Sequence, residues 1–507
     1  MKRKVLFASL LSFTLTTNVF AESYRDPAPI INPTTSNSKS ILVDNTHGQT
    51  AGAADWVIDG AFSDFARGLA GKGYTVKELR QNRAIAYEDI SKYDVFIIPE
   101  ANIPFKEVEQ NAITRYVKEG GSVFYITDHY NADRNLNRID SSEAFNGYRR
   151  GAFEDITKGM TLEEKSSEKM VGVKSSDWLS NNFGVRFRYN ALNNITANDI
   201  VKGNDAMGIT DGVNSVAMHA GSTIAITNPE IAKGLIYLPD NLISTDKWGP
   251  SVDQGIYFGG GRDEGAYIAV SKLGLGKAAF IGDSSMVEDA SPKYKREDSG
   301  TTKQTYDGYK EQNDALLLNN LVDWLAKDEN YTSFRELGIR LDNKSPLLSF
   351  EVPNQSVEPQ SEPWKLPDAT YKWYDESTFK PGSYGYNSSD SSGPNENIQP
   401  YDFILGEIIN GQQFKVTLIV NGLTPNTTYK DFKVGIYNNN GTQIGSFNLG
   451  GSWNPFGYSN AFTFTTDAAG TAKITFDAKT KVGIVGDANI RLKQGTTNKY
   501  TEAIKIK

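Results

Sequence analysis

The sequence predicts an α/β domain with a mostly parallel sheet, followed by an all-β sandwich. Two observations predict the α/β domain: short apolar segments alternate with segments of helical periodicity, and the apolar segments lack the polar alternation of a half-exposed strand. A third observation predicts the sandwich, because short alternating segments separated by turn sequences follow residue 400. The chain of 507 residues is long enough for both.

The first elements alternate between strand and helix. Short apolar runs predict strands at residues 41–43, 95–98 and 123–126, and a further strand is predicted at residues 74–79. Apolar residues at helical spacing predict helices at residues 55–70 and 106–118. Because right-handed crossovers bring the carboxyl ends of parallel strands to one side, we expect a flavodoxin-like sheet with helices on both faces.

The next part of the chain is less regular. Residues 130–222 are predicted to form an insertion over the carboxyl edge of the sheet. Further strands are predicted at residues 223–226, 235–238 and 278–281, and a closing helix at 314–326. The predicted α/β domain therefore spans residues 41–330.

The amino-terminal segment is typical of an export signal. Residues 1–21 combine a basic start, an apolar stretch interrupted by polar residues, and a small-x-small pattern at Val19 and Ala21. The apolar stretch is too short and too polar for a membrane anchor, and no later segment is predicted to span a bilayer. We therefore predict a signal peptide, a tail at residues 22–40, and a secreted protein, with a periplasmic location as the alternative.

Charge and cysteine content exclude several functions. The formal charge is −8, and removal of Lys2, Arg3 and Lys4 with the signal would make it more negative. Such a chain gains no long-range attraction to nucleic acid, so that partner would require a local basic patch or a bound cation. The absence of cysteine excludes disulfides, thiolate metal sites and a cysteine nucleophile.

The carboxyl-terminal part differs in composition. Eight of the nineteen prolines lie between residues 346 and 400, so residues 331–400 are predicted to be a loosely packed connector. Residues 401–507 are predicted to form the sandwich. Trp453, Phe456 and Tyr458 could either bind a cell-surface polymer or belong to the sandwich core.

The three histidines indicate where chemistry could occur. His47, His129 and His219 each follow a strand-like run, and acidic residues end neighbouring strands. Since ligands bind at the carboxyl ends of parallel strands, these side chains are expected at one rim. We predict a divalent metal ion held by Asp44, His47, His129 and Asp283. Glu100, Asp128 and His129 are the predicted catalytic residues, with Glu100 as the base; capping of strand ends is the alternative role.

Arginines follow the predicted site. Arg134, Arg138 and Arg149 could hold a phosphorylated substrate or nucleic acid, because a guanidinium contacts two oxygens at once. Nearby acids could instead neutralise them in a surface loop. No G-x-S-x-G sequence is present, which disfavours a common serine hydrolase.

Residues 41–330 resemble the class I glutamine-amidotransferase-like family. The resemblance rests on residues 41–44, 93–100, 120–128, 276–283 and 313–325. It implies the flavodoxin-like fold. The family's nucleophilic cysteine follows a central strand, where this chain has Ile126-Thr127-Asp128-His129, so glutaminase activity is excluded.

A second resemblance concerns function. Residues 44–55, 128–135 and 282–289 are similar to a group of secreted bacterial proteins, some labelled DNA-binding or endonuclease. The leading hypothesis is a secreted metal-dependent hydrolase acting on phosphoesters or nucleic acid. The alternative is a non-catalytic extracellular binding or adhesion protein for glycan, polymer or DNA.

Overall fold

A computed structural model describes residues 22–359, 366–386, 401–405, 408–420, 423–424, 426–467 and 471–507. The predicted signal peptide lies outside the described residues. The chain divides into two units, Met1–Asp390 and Ser391–Lys507.

The first unit contains the predicted alternation of strands and helices. Its described strands are β1 Ile30–Ile31, β2 Ser40–Asp44, β3 Thr75–Leu79, β4 Val95–Ile98, β5 Ser122–Ile126, β6 Val185–Phe187, β7 Ile195–Ala197, β8 Asp199–Ile200, β9 Val216–Met218, β10 Ile224–Ile226, β11 Ala232–Tyr237, β12 Ala266–Leu273 and β13 Gly276–Ile281. Its described helices are α1 Ser63–Gly71, α2 Tyr87–Ile90, α3 Glu107–Lys118, α4 Ser141–Asn146, α5 Leu162–Ser166, α6 Trp178–Phe183, α7 Gly261–Glu264, α8 Asp314–Ala326 and α9 Phe334–Leu337.

An 11-stranded mixed sheet forms the centre of this unit. Strands β3-β2-β4-β5-β13 lie side by side in that order and are parallel. The remaining strands of the sheet, β1, β12, β10, β6, β11 and β8, pair antiparallel. The predicted α/β class is therefore confirmed. The chain passes from β2 to β3 on one side and then to β4 on the other, so the strand order reverses at the carboxyl ends of β2 and β4.

Burial explains why the central strands are continuously apolar. Every residue of β4, β5 and β13 is buried.

The helix predicted at residues 55–70 begins only at Ser63. Asp55 instead accepts hydrogen bonds from the backbone of Lys293 and Tyr294 at 2.7 and 2.8 Å, and residues 55–62 are not helical.

The predicted connector is in large part packed onto the first unit. Arg188 is fully buried and pairs with Glu351 at 2.7 Å, while Phe334, Tyr371 and Trp373 join the main hydrophobic core. The expectation of a loose connector over residues 331–400 was therefore wrong for residues 331–359 and 366–386, because their aromatic and charged side chains find partners in the α/β unit. We call residues 366–386 the strap.

The second unit contains two antiparallel four-stranded sheets with the orders β14-β15-β19-β17 and β18-β16-β20-β21. Inward side chains from both sheets, among them Val416, Val434 and Ile490, form one buried cluster. Its strands are β14 Tyr401–Leu405, β15 Gln413–Val420, β16 Thr428–Asn438, β17 Gly445–Asn448, β18 Phe462–Thr465, β19 Ala472–Thr480, β20 Gly486–Gln494 and β21 Thr497–Ile506.

None of the helices in the described ranges is both long and apolar enough to cross a bilayer.

Candidate functional site

The carboxyl ends of the parallel strands carry most of the predicted site residues. Asp44 ends β2, and Glu100, Asp128 and Asp283 each lie two residues beyond a strand end. All four carboxyl groups are buried. These residues therefore lie together at the carboxyl edge of the sheet, and their partners decide what each can do.

His47 lies between two carboxylates. Its Nδ1 is 2.8 Å from Asp44 Oδ2, and its Nε2 is 3.3 Å from Glu109 Oε1. The ring stacks on Phe105 with 4.1 Å between centroids. Burial alone would lower the pKa of His47, but Glu109 and Asp44 outweigh it and raise the pKa to about 9. His47 is therefore a buried imidazolium at neutral pH, with both nitrogens engaged.

Arg134 lies between another two carboxylates. Its Nε donates to Glu100 Oε1 at 2.9 Å, and a terminal nitrogen donates to Asp128 Oδ2. The Ser284 hydroxyl donates to the other oxygen of Glu100 at 3.0 Å. Burial raises the pKa values of Glu100 and Asp128 to about 7, although Arg134 opposes the rise.

Two further carboxyl groups complete this acidic cluster. Glu288 accepts from the Trp56 indole at 2.7 Å and lies 3.2 Å from the Ser284 hydroxyl. Asp283 accepts the backbone N–H of His219 at 2.5 Å. Burial and the neighbouring Asp128 raise the pKa of Asp283 well above its ordinary value, and burial raises that of Glu288. The cluster therefore holds protons near neutral pH.

Close packing of the backbone places the N–H group of His219 against Asp283. A side chain at Gly282 would overlap the backbone of Ser222, and one at Gly221 would approach Asp283 within 2.7 Å. The His219 imidazole points away from Asp283, with Nε2 2.8 Å from Glu311 and its ring stacked on Tyr306.

His129 has the opposite character to His47. Its Nδ1 is 2.8 Å from the carbonyl oxygen of Tyr130, and its ring lies 3.9 Å from that of Trp248. Burial and the positive charge of Arg134 lower the pKa of His129 to about 3. The imidazole is therefore neutral, with Nδ1 carrying the proton donated to the carbonyl.

The predicted metal ligands are not brought together. Asp44 and His47 bind each other, Gln49 and Glu109, whereas His129 is held by Tyr130 and Trp248. Among the residues that the structure describes, no group of three or more His, Asp or Glu side chains is arranged to hold a metal ion. The set Asp44, His47, His129 and Asp283 therefore does not fit a divalent ion in this arrangement.

The predicted substrate arginines have protein partners. Arg138 pairs with Glu164 at 2.9 Å. Arg149 is buried and donates to the carbonyl oxygens of Ile156 and Lys158 at 3.1 and 2.7 Å. Arg134 is held in the acidic cluster, so all three predicted substrate arginines already bind groups of the protein.

A cavity that the sequence argument missed opens where the strand order reverses. We call it the strap cavity, because the strap forms one wall and the loops after β2, β3 and β4 form the other. Its volume is about 70 Å³, and its mouth is open to solvent. The strap wall is aromatic and consists of Tyr371, Trp373, Tyr374, Phe379 and Tyr384. The opposite wall is polar and includes Asn45, Thr46, Gln81, Asn82 and Asn135.

One polar lining atom of this cavity, Asn135 Oδ1, is buried and makes no hydrogen bond within the described residues. Tyr371 and Glu297 lie beside each other, and Glu297 Oε2 is 3.9 Å from Lys303 Nζ. Burial raises the pKa of Glu297, and burial together with the charge of Glu297 raises that of Tyr371. Buried polar atoms are normally satisfied, so Asn135 Oδ1 indicates a place for a ligand donor.

The sequence did carry a signal for this cavity. Six aromatic residues lie within residues 366–386, although aromatic residues are depleted in unstructured linkers. The proline and serine content of the same segment favoured the prediction of a connector instead.

In the second unit, Phe456 is 46% exposed, and Lys479 and Lys493 lie over the Trp453 and Tyr458 rings at 4.4 and 4.8 Å. These aromatics lie outside the buried cluster of that unit.

Comparison with known proteins gives only distant likenesses. No protein-family model matches the chain, and no curated protein shows a significant match. The mmIFT52 N-terminal domain aligns with a TM-score of 0.34 and 11% identity, over 58% of this chain and 100% of that one. A ThuA-like protein from Parabacteroides merdae aligns with a TM-score of 0.30 and 12% identity, over 58% and 92%. The human F-spondin reeler domain covers 22% of this chain and 90% of its own, with 11% identity and a TM-score of 0.15. Likenesses at these TM-scores do not bear on function.

Proposed function

We propose that the first unit binds a carbohydrate in the strap cavity, and that the chain is a secreted binding protein. The observation that carries the proposal is the pairing of an aromatic wall with an amide-rich wall at the reversal of the strand order. Ligands of open α/β sheets bind at this point. We further propose that the parallel strands follow the flavodoxin-like order, and that the two sheets of the second unit form a sandwich.

The two walls suit the two faces of a sugar. A pyranose ring has an apolar face of C–H groups that packs on flat aromatic rings, and hydroxyls around its edge. Ligand sites are commonly apolar surfaces with a few placed polar groups, which matches the aromatic strap opposite Asn45, Asn82 and Asn135. An amide both donates and accepts, as a hydroxyl does.

A polar lining atom supports this assignment. Asn135 Oδ1 makes no hydrogen bond within the described residues and can accept one from a ligand. A ligand rich in hydroxyl groups offers such donors. A purely apolar ligand would leave Asn135 Oδ1 without a hydrogen bond at a cost of about 1–3 kcal/mol.

Calorimetric titration of the full chain with neutral cello-, xylo-, malto- and chito-oligosaccharides tests the proposal. Phe379→Leu removes a flat ring from the cavity wall while keeping an apolar, half-buried side chain. We expect about tenfold weaker binding in Phe379→Leu, which corresponds to ~1.4 kcal/mol. The control is Phe456→Leu, which removes an exposed ring of the second unit.

Two results would overturn the proposal. One is an absence of binding with neutral and acidic oligosaccharides alike. The other is a loss of binding in Phe456→Leu with none in Phe379→Leu, which would move the site to the second unit.

A hydrolase acting on phosphoesters or nucleic acid is the second candidate. The observation in its favour is the pair Glu100 and Asp128, whose pKa values of about 7 suit proton transfer near neutral pH. This candidate does not depend on the predicted divalent metal, since the donors do not fit it. Assays with DNA, RNA and a model phosphodiester, with and without added Zn²⁺, Mn²⁺, Mg²⁺ or Ca²⁺, test it. No turnover under any condition would exclude this candidate.

A further inference from the structure

We infer that the carbohydrate is acidic, and that its anionic substituent binds beside Lys169, where the strap cavity adjoins a second, smaller cavity. The inference rests on the proposed function and adds the class of saccharide.

The two cavities are adjacent. They share Thr46, Gln81, Asn82, Ile103 and Lys169 as lining residues. The smaller cavity has a volume of about 30 Å³, enough for a small group such as a carboxylate, and extends between the loop after β3 and the start of α3. A substituent of a ligand that stacks on the strap would therefore lie beside Lys169.

Cations dominate the lining of the smaller cavity. Four cationic side chains line it, namely His47, Arg83, Lys106 and Lys169, against the two carboxylates Glu109 and Glu168. The His47 imidazolium is matched by its own carboxylates, and Arg83 pairs with Asp89 at 2.6 Å. The charged groups that remain for a ligand are therefore the two lysines and the carboxylate of Glu168, which together carry one positive charge.

Lys106 and Lys169 are both half-buried. Neither forms an ion pair or a side-chain hydrogen bond within the part of the chain that the structure describes. Other lysines in this unit do find partners, such as Lys233 with Asp342 at 2.9 Å. Half-buried ammonium groups attract an anion strongly, because a charge-assisted hydrogen bond replaces part of their lost hydration.

The enclosure favours a saccharide over a nucleic acid. Single-stranded nucleic acid is bound along open basic grooves in which several cations follow the backbone. Here two lysines serve one enclosed position, and the whole chain carries a formal charge of −8. A uronic acid, with one carboxylate on a sugar ring, matches one anion beside one stacking wall.

Trigalacturonic acid and its methyl ester form a matched pair of probes, since the ester keeps every hydroxyl and loses the charges. We expect the wild-type chain to bind the acid at least tenfold more tightly than the ester at low salt. Lys169→Gln and Lys106→Gln should each reduce this preference several-fold, because each removes one ammonium group from the position of the anion. Lys481→Gln, in the second unit, is the control for total charge.

The outcomes separate the inference from the proposed function. Equal affinity for acid and ester, or lysine variants without effect, would overturn the inference and leave carbohydrate binding intact. A sulfated trisaccharide that binds with the same lysine dependence would support an anion subsite and assign it to sulfate. A single-stranded hexanucleotide that binds more tightly than either sugar, with the same dependence on Phe379 and Lys169, would overturn the saccharide class.

Discussion

His47 and Arg134 form the same arrangement at two neighbouring places on the sheet edge. Each is a cation between two buried carboxylates: Asp44 and Glu109 around His47, and Glu100 and Asp128 around Arg134. The difference is that imidazolium titrates within the physiological range and guanidinium does not. In the first arrangement the group that titrates is therefore the cation, His47. In the second it is the carboxyl groups of Glu100 and Asp128.

The comparison shows how burial acts on each side of an ion pair. At His47, two carboxylates outweigh burial and the pKa rises to about 9. At Arg134, one cation does not fully compensate a larger acidic cluster, so Glu100 and Asp128 keep pKa values of about 7. At His129, whose Nδ1 binds a carbonyl oxygen instead of a carboxylate, burial is the dominant effect and lowers the pKa to about 3.

The largest effect is expected for Arg134→Gln. The change leaves two buried carboxylates without their cation, and breaking a buried ion pair in this way costs about 3–5 kcal/mol. We expect a fall of that size in the free energy of unfolding, measured by urea denaturation at pH 7.5. Arg115→Gln is the matched control, because Arg115 and its partner Glu119 are both exposed and the change should lower the free energy of unfolding far less. Equal losses in the two variants would contradict the comparison.

A pH-dependent effect is expected at His47. Its folded-state pKa of about 9 exceeds the ordinary 6.5, so the stability it contributes is fully present below pH 6.5 and lost as pH rises towards 9. The loss over this range is about 3 kcal/mol. Denaturation of wild type and His47→Gln at several pH values checks this. The difference between the two chains should shrink steadily from pH 6.5 to 9, and a constant difference would show that His47 is neutral.

The smallest effect is expected for His129→Phe. The ring contact with Trp248 is kept and one hydrogen bond to the Tyr130 carbonyl is lost, so the cost at pH 8 should be ~1 kcal/mol. Because the folded-state pKa is lowered to about 3, the wild type loses stability as pH falls from 6.5. The variant lacks that loss, so its relative stability should improve on acidification. A relative decline at pH 5 would mean that His129 is charged in the folded chain.

Much of the fold followed from local sequence. Continuous apolar runs predicted β4, β5 and β13 because strands covered on both faces have no polar alternation. The edge position of Asp44, Glu100, Asp128 and Asp283 followed from the common direction of parallel strands. These predictions depend on neighbours in the chain and on topology alone.

The partners of those residues could not be predicted in the same way. Glu109 faces His47 from α3, and Arg134 reaches Glu100 from a loop, so both contacts depend on side-chain packing between distant segments. The strap was missed because proline content predicted a connector, whereas Trp373 donates to Glu164 at 3.1 Å and lies in the core. A pattern of turns does not reveal what an aromatic side chain will pack against.

The strap also determines when the binding site can exist. One wall of its cavity is encoded near Thr46 and the other near Trp373, almost the full length of the first unit apart. Contacts of such sequence separation close the longest loops and form late in folding. A nascent or proteolysed chain that stops at residue 330 could pair β2 to β13 and still have no aromatic wall. Ligand binding would then report whether the first unit has been completed, which measurements of secondary structure alone would not reveal.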